Sequence, residues 1–259
     1  RGPDRGRLQR CRTGDRQGLQ AVALPEIDYR LRLSDPIFGG KVQLQANTLA
    51  IGRTSGQDTQ RAFGAARWDM RRLTGMGQEL NLTVLARGDI YNSDENDTTL
   101  TAIYRGETGF KGRGLFTAAA DLRWPFVGKA FGGSQILTPR IQLVGTQTTG
   151  NLEVPNEDAR AVDLEDSNLF ALNRFPGYDR IEDNFRVTYG VDWSVRRKNV
   201  NFDFNIGQSF RLSNQATIFP NGTGLADKVS DIVGRSELRF KDFVKFSHRF
   251  RLDKDNFTI

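Results

Sequence analysis

Thiol and imidazole chemistry are almost missing from this chain. Cys11 is its only cysteine and His248 its only histidine among 259 residues. A single cysteine makes no internal disulfide, and one of each cannot assemble a zinc site. His248 lies on the mostly apolar side of "VKFSHRFRL", with Val244, Phe246 and Phe250, a place for a rim side chain and not for a catalytic base. No pair of carboxylates stands out for acid–base work. The sequence therefore argues against an enzyme and asks for no metal or cofactor. Any apolar run of about 18 residues is also missing, which excludes a helical membrane span. A membrane is not excluded, because barrel strands alternate apolar and polar residues and average out as hydrophilic. Without a first Met or a leader pattern, the expectation is a cytosolic protein or an internal piece of a longer one.

Aromatics and basic residues are plentiful. Hydrophobic content is 37% and mean hydropathy −0.51, low for a thick core. Yet 18 Phe, 5 Tyr and 3 Trp are too many for a chain that never folds. The net charge of +6 and a pI near 9.7 point to an anionic partner. Basic residues form no run except in "RGPDRGRLQRCRTGDRQ". Residues 1–20 show no periodicity and are expected to be disordered, leaving 21–259 as the folded part.

Period-2 patterning dominates that part. In "FRVTYGVDWSVR", Phe185, Val187, Tyr189, Val191, Trp193 and Val195 alternate with Arg186, Thr188, Gly190, Asp192, Ser194 and Arg196. "NVNFDFNIGQSFRL" repeats the pattern with Phe202 and Phe204 opposite Asp203 and Arg211. About ten strands are expected, near 24–33, 40–53, 60–72, 79–92, 114–124, 135–147, 184–197, 199–212, 231–241 and 243–254, with no helix of any length. Many exceed the five or six residues usual in globular sheets and reach the 9–11 that cross a bilayer. Short and long links alternate from residue 73 onward, the long ones being 92–113, 148–183 and 213–230, as in outer-membrane barrels. The expected fold is all-β, an antiparallel transmembrane β-barrel fragment of about ten strands, incomplete. The competing reading is a soluble sheet with its apolar face on a protein core.

Three weaker signals are set aside. "GETGFKGRG" (106–114) has the look of a phosphate-binding glycine loop, but turn and loop glycines explain it. The acidic stretches "NSDENDTT" (92–99) and "EVPNEDARAVDLED" (153–166) read as solvated loops, with cation bridging as the alternative. Nucleic acid is not expected as a partner, because the basic residues lie on the strand face opposite the aromatics.

"LPEIDYR" (24–30), "WPF" (124–126), "LTPRIQLVGTQ" (137–147) and above all "DSNLFALNRFPGYDRIEDNFRVTYGVDW" (166–193) resemble the barrel domain of the lipopolysaccharide-assembly outer-membrane family LptD, also called OstA or Imp. The resemblance covers about residues 24–259. It implies residence in the outer membrane of a Gram-negative bacterium and insertion of lipopolysaccharide into the outer leaflet. It also implies an LptE-like lipoprotein plug, and an LptA-like periplasmic bridge that reaches the family's N-terminal domain. This chain is expected to be a mid-barrel piece lacking that domain and the terminal strands.

The 148–183 link would then be an outside loop folded back into the lumen. Asp166, Asn168, Phe170, Asn173, Arg174, Phe175, Gly177, Tyr178, Asp179, Arg180 and Glu182 are its candidate lumen or plug contacts. The null expectation for them is that they only pin the loop inside the barrel. Arg186, Arg196 and Arg211 are the lumen-facing cations expected to attract lipid phosphates. Phe185, Tyr189, Trp193, Phe202 and Phe204 are the lipid-facing aromatics. The alternatives are a porin-like or ligand-gated import barrel, and a soluble β-rich carbohydrate-binding protein.

Overall fold

A computed structural model describes residues 22–23, 26–160, 162–214, 217–241 and 243–258; Cys11 and the basic N-terminal stretch lie outside them. The elements are β1 (Val22–Ala23), β2 (Ile27–Arg32), β3 (Lys41–Gly52), β4 (Asp58–Leu73), β5 (Glu79–Asp94), α1 (Ala102–Arg105), β6 (Gly109–Arg123), β7 (Phe126–Ala130), β8 (Gly133–Thr148), β9 (Phe185–Arg196), β10 (Val200–Arg211), β11 (Ile232–Phe240) and β12 (Val244–Leu252). All twelve strands belong to one antiparallel sheet, ordered β1-β3-β4-β5-β6-β8-β9-β10-β11-β12, with β2 also on β3 and β7 also on β8. Among the described residues β12 does not pair with β1 or β2, so the sheet is open.

Two expectations are corrected. "FKGRG" is not a loop: β6 begins at Gly109, pairing Ser93↔Gly109 through Glu79↔Arg123 with β5. The glycines hid the alternation there, since a face made by hydrogen atoms leaves no hydropathy signal. The link near 125–134 is not a loop either. β6 and β7 share one register along β8, from Leu115↔Thr148 to Ala130↔Gly133. They are interrupted only where Pro125 has no N–H to give the ladder. Phe131 and Gly132, both with positive φ (53° and 71°), close the hairpin in a two-residue turn of the type whose twist suits antiparallel strands.

The two faces separate as the alternation predicts. On β9, Arg186 and Thr188 are fully buried while Phe185 and Tyr189 stay nearly half exposed. Ile141, Leu143, Phe210, Leu238, Phe240, Val244 and Phe246 share that exposed outer face. Nothing among the described residues covers it, so they build no core of the kind expected of a soluble sandwich on that face. The buried apolar cluster sits on the inner face, built by the two longest links with one strand residue. Ala159, Leu164, Leu169 and Phe175 come from 149–184, Phe219 and Leu225 from 212–231, and Val233 from β11. Phe175 and Phe219 stack at 4.5 Å, fastening one link to the other.

Candidate functional site

The 149–184 link carries nine carboxylates against three basic residues, Arg160, Arg174 and Arg180. It lies across an inner face studded with arginines, and opposite charges fix its path. Its tightest junction joins "PGYDR" (176–180) to β4, β5 and β6. Asp179 accepts from Arg61, from the Tyr91 hydroxyl (3.0 Å), and from the N–H groups of Glu157 (2.7 Å) and Asp158 (3.1 Å). Asp158 in turn accepts from Arg61 (2.8 Å) and from the N–H groups of Tyr178 and Asp179. Arg113 donates to Asp89 and to the carbonyls of Tyr178 and Asp179. Arg87 pairs with the same Asp89 and lies over the Phe63 ring at 3.8 Å. Gly177 is required here: its φ is +69°, and a Cβ would come 2.3 Å from the Asp158 carboxyl carbon.

Burial alone would raise the Asp179 carboxyl, but the Arg61 guanidinium and the Glu157 N–H override it and hold it below the ordinary range. Asp158 goes the other way, raised by burial and then by the negative charge of Asp179. Arg180 meets no carboxylate. It donates to the carbonyls of Ile103 (2.7 Å), Val154 (2.8 Å), Asn151 (3.0 Å) and Asp179 (3.1 Å), and its burial pulls it down to about 10.

The second junction leads into β9. Glu182 receives Arg174 (Nε at 2.7 Å), Asn184 (3.0 Å) and, at 3.5 Å, Arg186. Arg186 also donates to the carbonyls of Ala171 (2.6 Å) and Leu172 (2.9 Å). Burial opposes ionisation of Glu182, yet Arg174 and Arg186 hold its carboxyl down to about 2. Asn173 stitches the motif to itself, accepting from the Glu182 N–H and donating to the Arg180 carbonyl. Asn168 does the same at 163–165, and Asp166 faces Arg249 at 3.4 Å.

Upstream of both junctions the link rests on glycine. Gly190 and Gly207 face each other in register on β9 and β10. A Cβ on Gly207 would lie 2.6 Å from Leu169 Cδ2, and one on Gly190 would lie 3.3 Å from Phe170 Cζ. The Phe170 ring is also covered by Arg140 at 3.8 Å. Gly207→Ala should therefore lift the link, weakening its docking by about 1–3 kcal/mol. Protease cleavage within 149–184 would speed up, and because the same Cβ would press the Tyr189 carbonyl at 2.7 Å, the β9–β10 pairing would loosen with it.

Arg174, Phe175, Asp179, Arg180 and Glu182 are all buried against this chain. Of that motif, Pro176 and Gly177 are exposed. Arg186 has no accessible surface either, so of the three expected lumen cations it is sealed beneath the link. Arg196 pairs with Asp203 at 2.6 Å and keeps its side chain 47% exposed. Arg211 borders a cavity of about 350 Å³ between the two long links. Phe185 and Tyr189 lie open on the outer face, while Trp193, Phe202 and Phe204 are half-buried there. The last three pack on one another and their neighbours: Trp193 meets Phe202 edge-on at 5.6 Å and Phe204 stacks on Phe250 at 6.5 Å.

Sequence reasoning missed the strand half of the first junction, Arg61, Arg87, Asp89, Tyr91 and Arg113. The available signal was charge at inward positions of three neighbouring strands. No three acid, His or Cys side chains converge among the described residues. Glu95 instead accepts from the Gly56 N–H, and Glu157 binds Arg53.

The assembly clamps a strap of chain across one face of a sheet. Residues 13–259 match the protein family described as "LptD: LPS transport system D". A curated relative, "LPS-assembly protein LptD" of Albidiferax ferrireducens (strain ATCC BAA-621 / DSM 15236 / T118), is 30% identical over 103 residues, which cover 38% of this chain and 13% of that protein. With nearly its whole length matched, and the apolar-outside, charged-inside sheet the resemblance implied, this chain belongs to the LptD family.

Proposed function

We propose that this chain forms part of the wall of an outer-membrane barrel that carries lipopolysaccharide to the outer leaflet. In that barrel an LptE-like plug would occupy the lumen, and an LptA-like bridge would deliver the lipid from the periplasm. The observation that carries this reading is the sheet's division into two solvents. Its outer face offers uncovered Phe, Tyr, Leu and Val, suited to lipid, and its inner face is lined by arginines under a self-made strap. A passive porin is a poorer fit, because the strap fills the inner face where an open pore would run. Depleting the full-length protein should strip lipopolysaccharide from the cell surface and accumulate it inside. Unchanged surface lipid together with impaired solute uptake would favour the importer.

A further inference from the structure

The acidic strap neutralises the inner-face arginines only where it reaches. Its last anchors toward β12 are Asp166 on Arg249 and Asp163 on Arg251. Beyond them, toward the short turns 197–199 and 241–243, the inner face of β9–β12 is left to itself. There Arg235, Arg239 and Lys245 all converge on the one buried carboxylate of Glu237, Arg239 at 3.2 Å and Lys245 at 3.1 Å. Arg239 and Lys245 stand directly opposite each other in the ladder, an arrangement of like charges that costs stability. Asp203, opposite Glu237 in the ladder, is taken by Arg196, so one carboxylate is left to three cations, and the side chains of Arg239 and Lys245 remain 47% and 52% exposed. Arg123 and Arg140 face each other in the same way, but there two cations share Asp121 where here three share Glu237.

Beside this cationic cluster runs a groove of about 310 Å³, bordered by Thr138, Asp192, Ser194, Asn205 and Arg235 and by the paired carboxylates of Asp203 and Glu237. Hydroxyl, amide and carboxylate groups with free donors and acceptors are what sugar hydroxyls pair with. Unbalanced arginine and lysine are what phosphate oxygens pair with. We infer that this end of the inner face binds a phosphorylated sugar, with the sugar in the groove and its phosphate on Arg235, Arg239 and Lys245. The ligand is the headgroup of the lipopolysaccharide being carried, an identification that rests on the proposed function. The strap's carboxylates occupy the neighbouring Arg249 and Arg251, so the headgroup meets its cations just beyond the strap.

The test uses full-length protein in detergent, with purified lipopolysaccharide as the probe. Arg239→Gln with Lys245→Gln should weaken binding about tenfold at low salt, about 1.4 kcal/mol. The difference should shrink as salt rises toward ~0.5 M, and the charge-keeping pair Arg239→Lys with Lys245→Arg should bind as the parent does. Both side chains are half exposed, so unchanged heat-modifiability would show the fold intact. Asn205→Val should weaken lipopolysaccharide binding without affecting phosphatidylglycerol vesicles. Parental binding by the double glutamine variant, or equal binding of dephosphorylated lipopolysaccharide, would overturn the site. Displacement by inorganic pyrophosphate or phosphatidylglycerol as effective as by lipopolysaccharide would overturn the sugar part. Loss of surface lipid on depletion with parental binding by the double variant refutes the site and leaves the transport reading standing. Normal surface lipid with binding lost refutes the transport reading and leaves the site standing.

Discussion

Asp179→Ala is expected to release the 149–184 strap from the sheet while leaving the sheet in place. The substitution removes the acceptor of four donors at once: Arg61, the Tyr91 hydroxyl and two backbone N–H groups. Arg61 keeps Asp158, but that carboxyl is already raised by burial and its side chain is 27% exposed, so it is the weaker partner. Removing one member of a buried pair costs about 3–5 kcal/mol, because the survivor's charge is left uncompensated. The strap's opening equilibrium should accordingly rise by about two to four orders of magnitude. Hydrogen exchange of backbone amides within 150–182 would register the change, with the β3–β6 ladders as internal control. Asp179→Asn should do nearly as badly, since its amide would turn a donor either toward Arg61 and Tyr91 or toward the two backbone N–H groups. Unchanged protection of those amides in Asp179→Ala would mean that the apolar cluster around Phe175 holds the strap unaided.

The sheet was legible in the sequence because its two faces meet different solvents. Phe185, Tyr189 and Arg186 declare their sides by chemistry alone. The same logic failed where side chains are small, at Gly109–Gly114, and where a proline interrupted a strand that resumes in register at Phe126. The strap was half legible. Arg174, Asp179 and Glu182 in one short apolar-flanked stretch imply that counter-charges wait elsewhere, since buried charges need partners. Which residues those would be did not follow, because Arg61, Tyr91 and Arg113 lie 66 to 118 positions away from Asp179 and only the sheet's register brings them together. The lumen arginines illustrate the remaining gap. Alternation gives the side of the sheet on which Arg186, Arg196 and Arg211 lie, but not which of them a loop from the same chain covers.

Acid should loosen the second junction within a defined window. Glu182 ordinarily would titrate at 4.5 and is held down to about 2 by Arg174 and Arg186, against the effect of burial. A carboxyl depressed on folding stabilises the folded state above its unfolded value and loses that contribution as pH falls through its folded one. The contribution, about 3 kcal/mol at ~1.36 kcal/mol per unit, is therefore complete above pH ~4.5 and gone near 2. Asp179 acts with the same sign and Asp158 with the opposite one, so Glu182 has to be isolated by substitution. In Glu182→Gln the strap should be weakly docked at neutral pH, with Arg174 and Arg186 left adjacent and unbalanced. Its stability should then change less between pH 5 and 2 than the parent's. Pepsin is active across that range, and taking parent and variant cleavage rates as a ratio removes the protease's own pH dependence. The variant should be cut far faster than the parent at pH 5, and the ratio should fall toward one as pH approaches 2. A ratio constant across the window would mean that Glu182 contributes geometry through its hydrogen bonds and not charge.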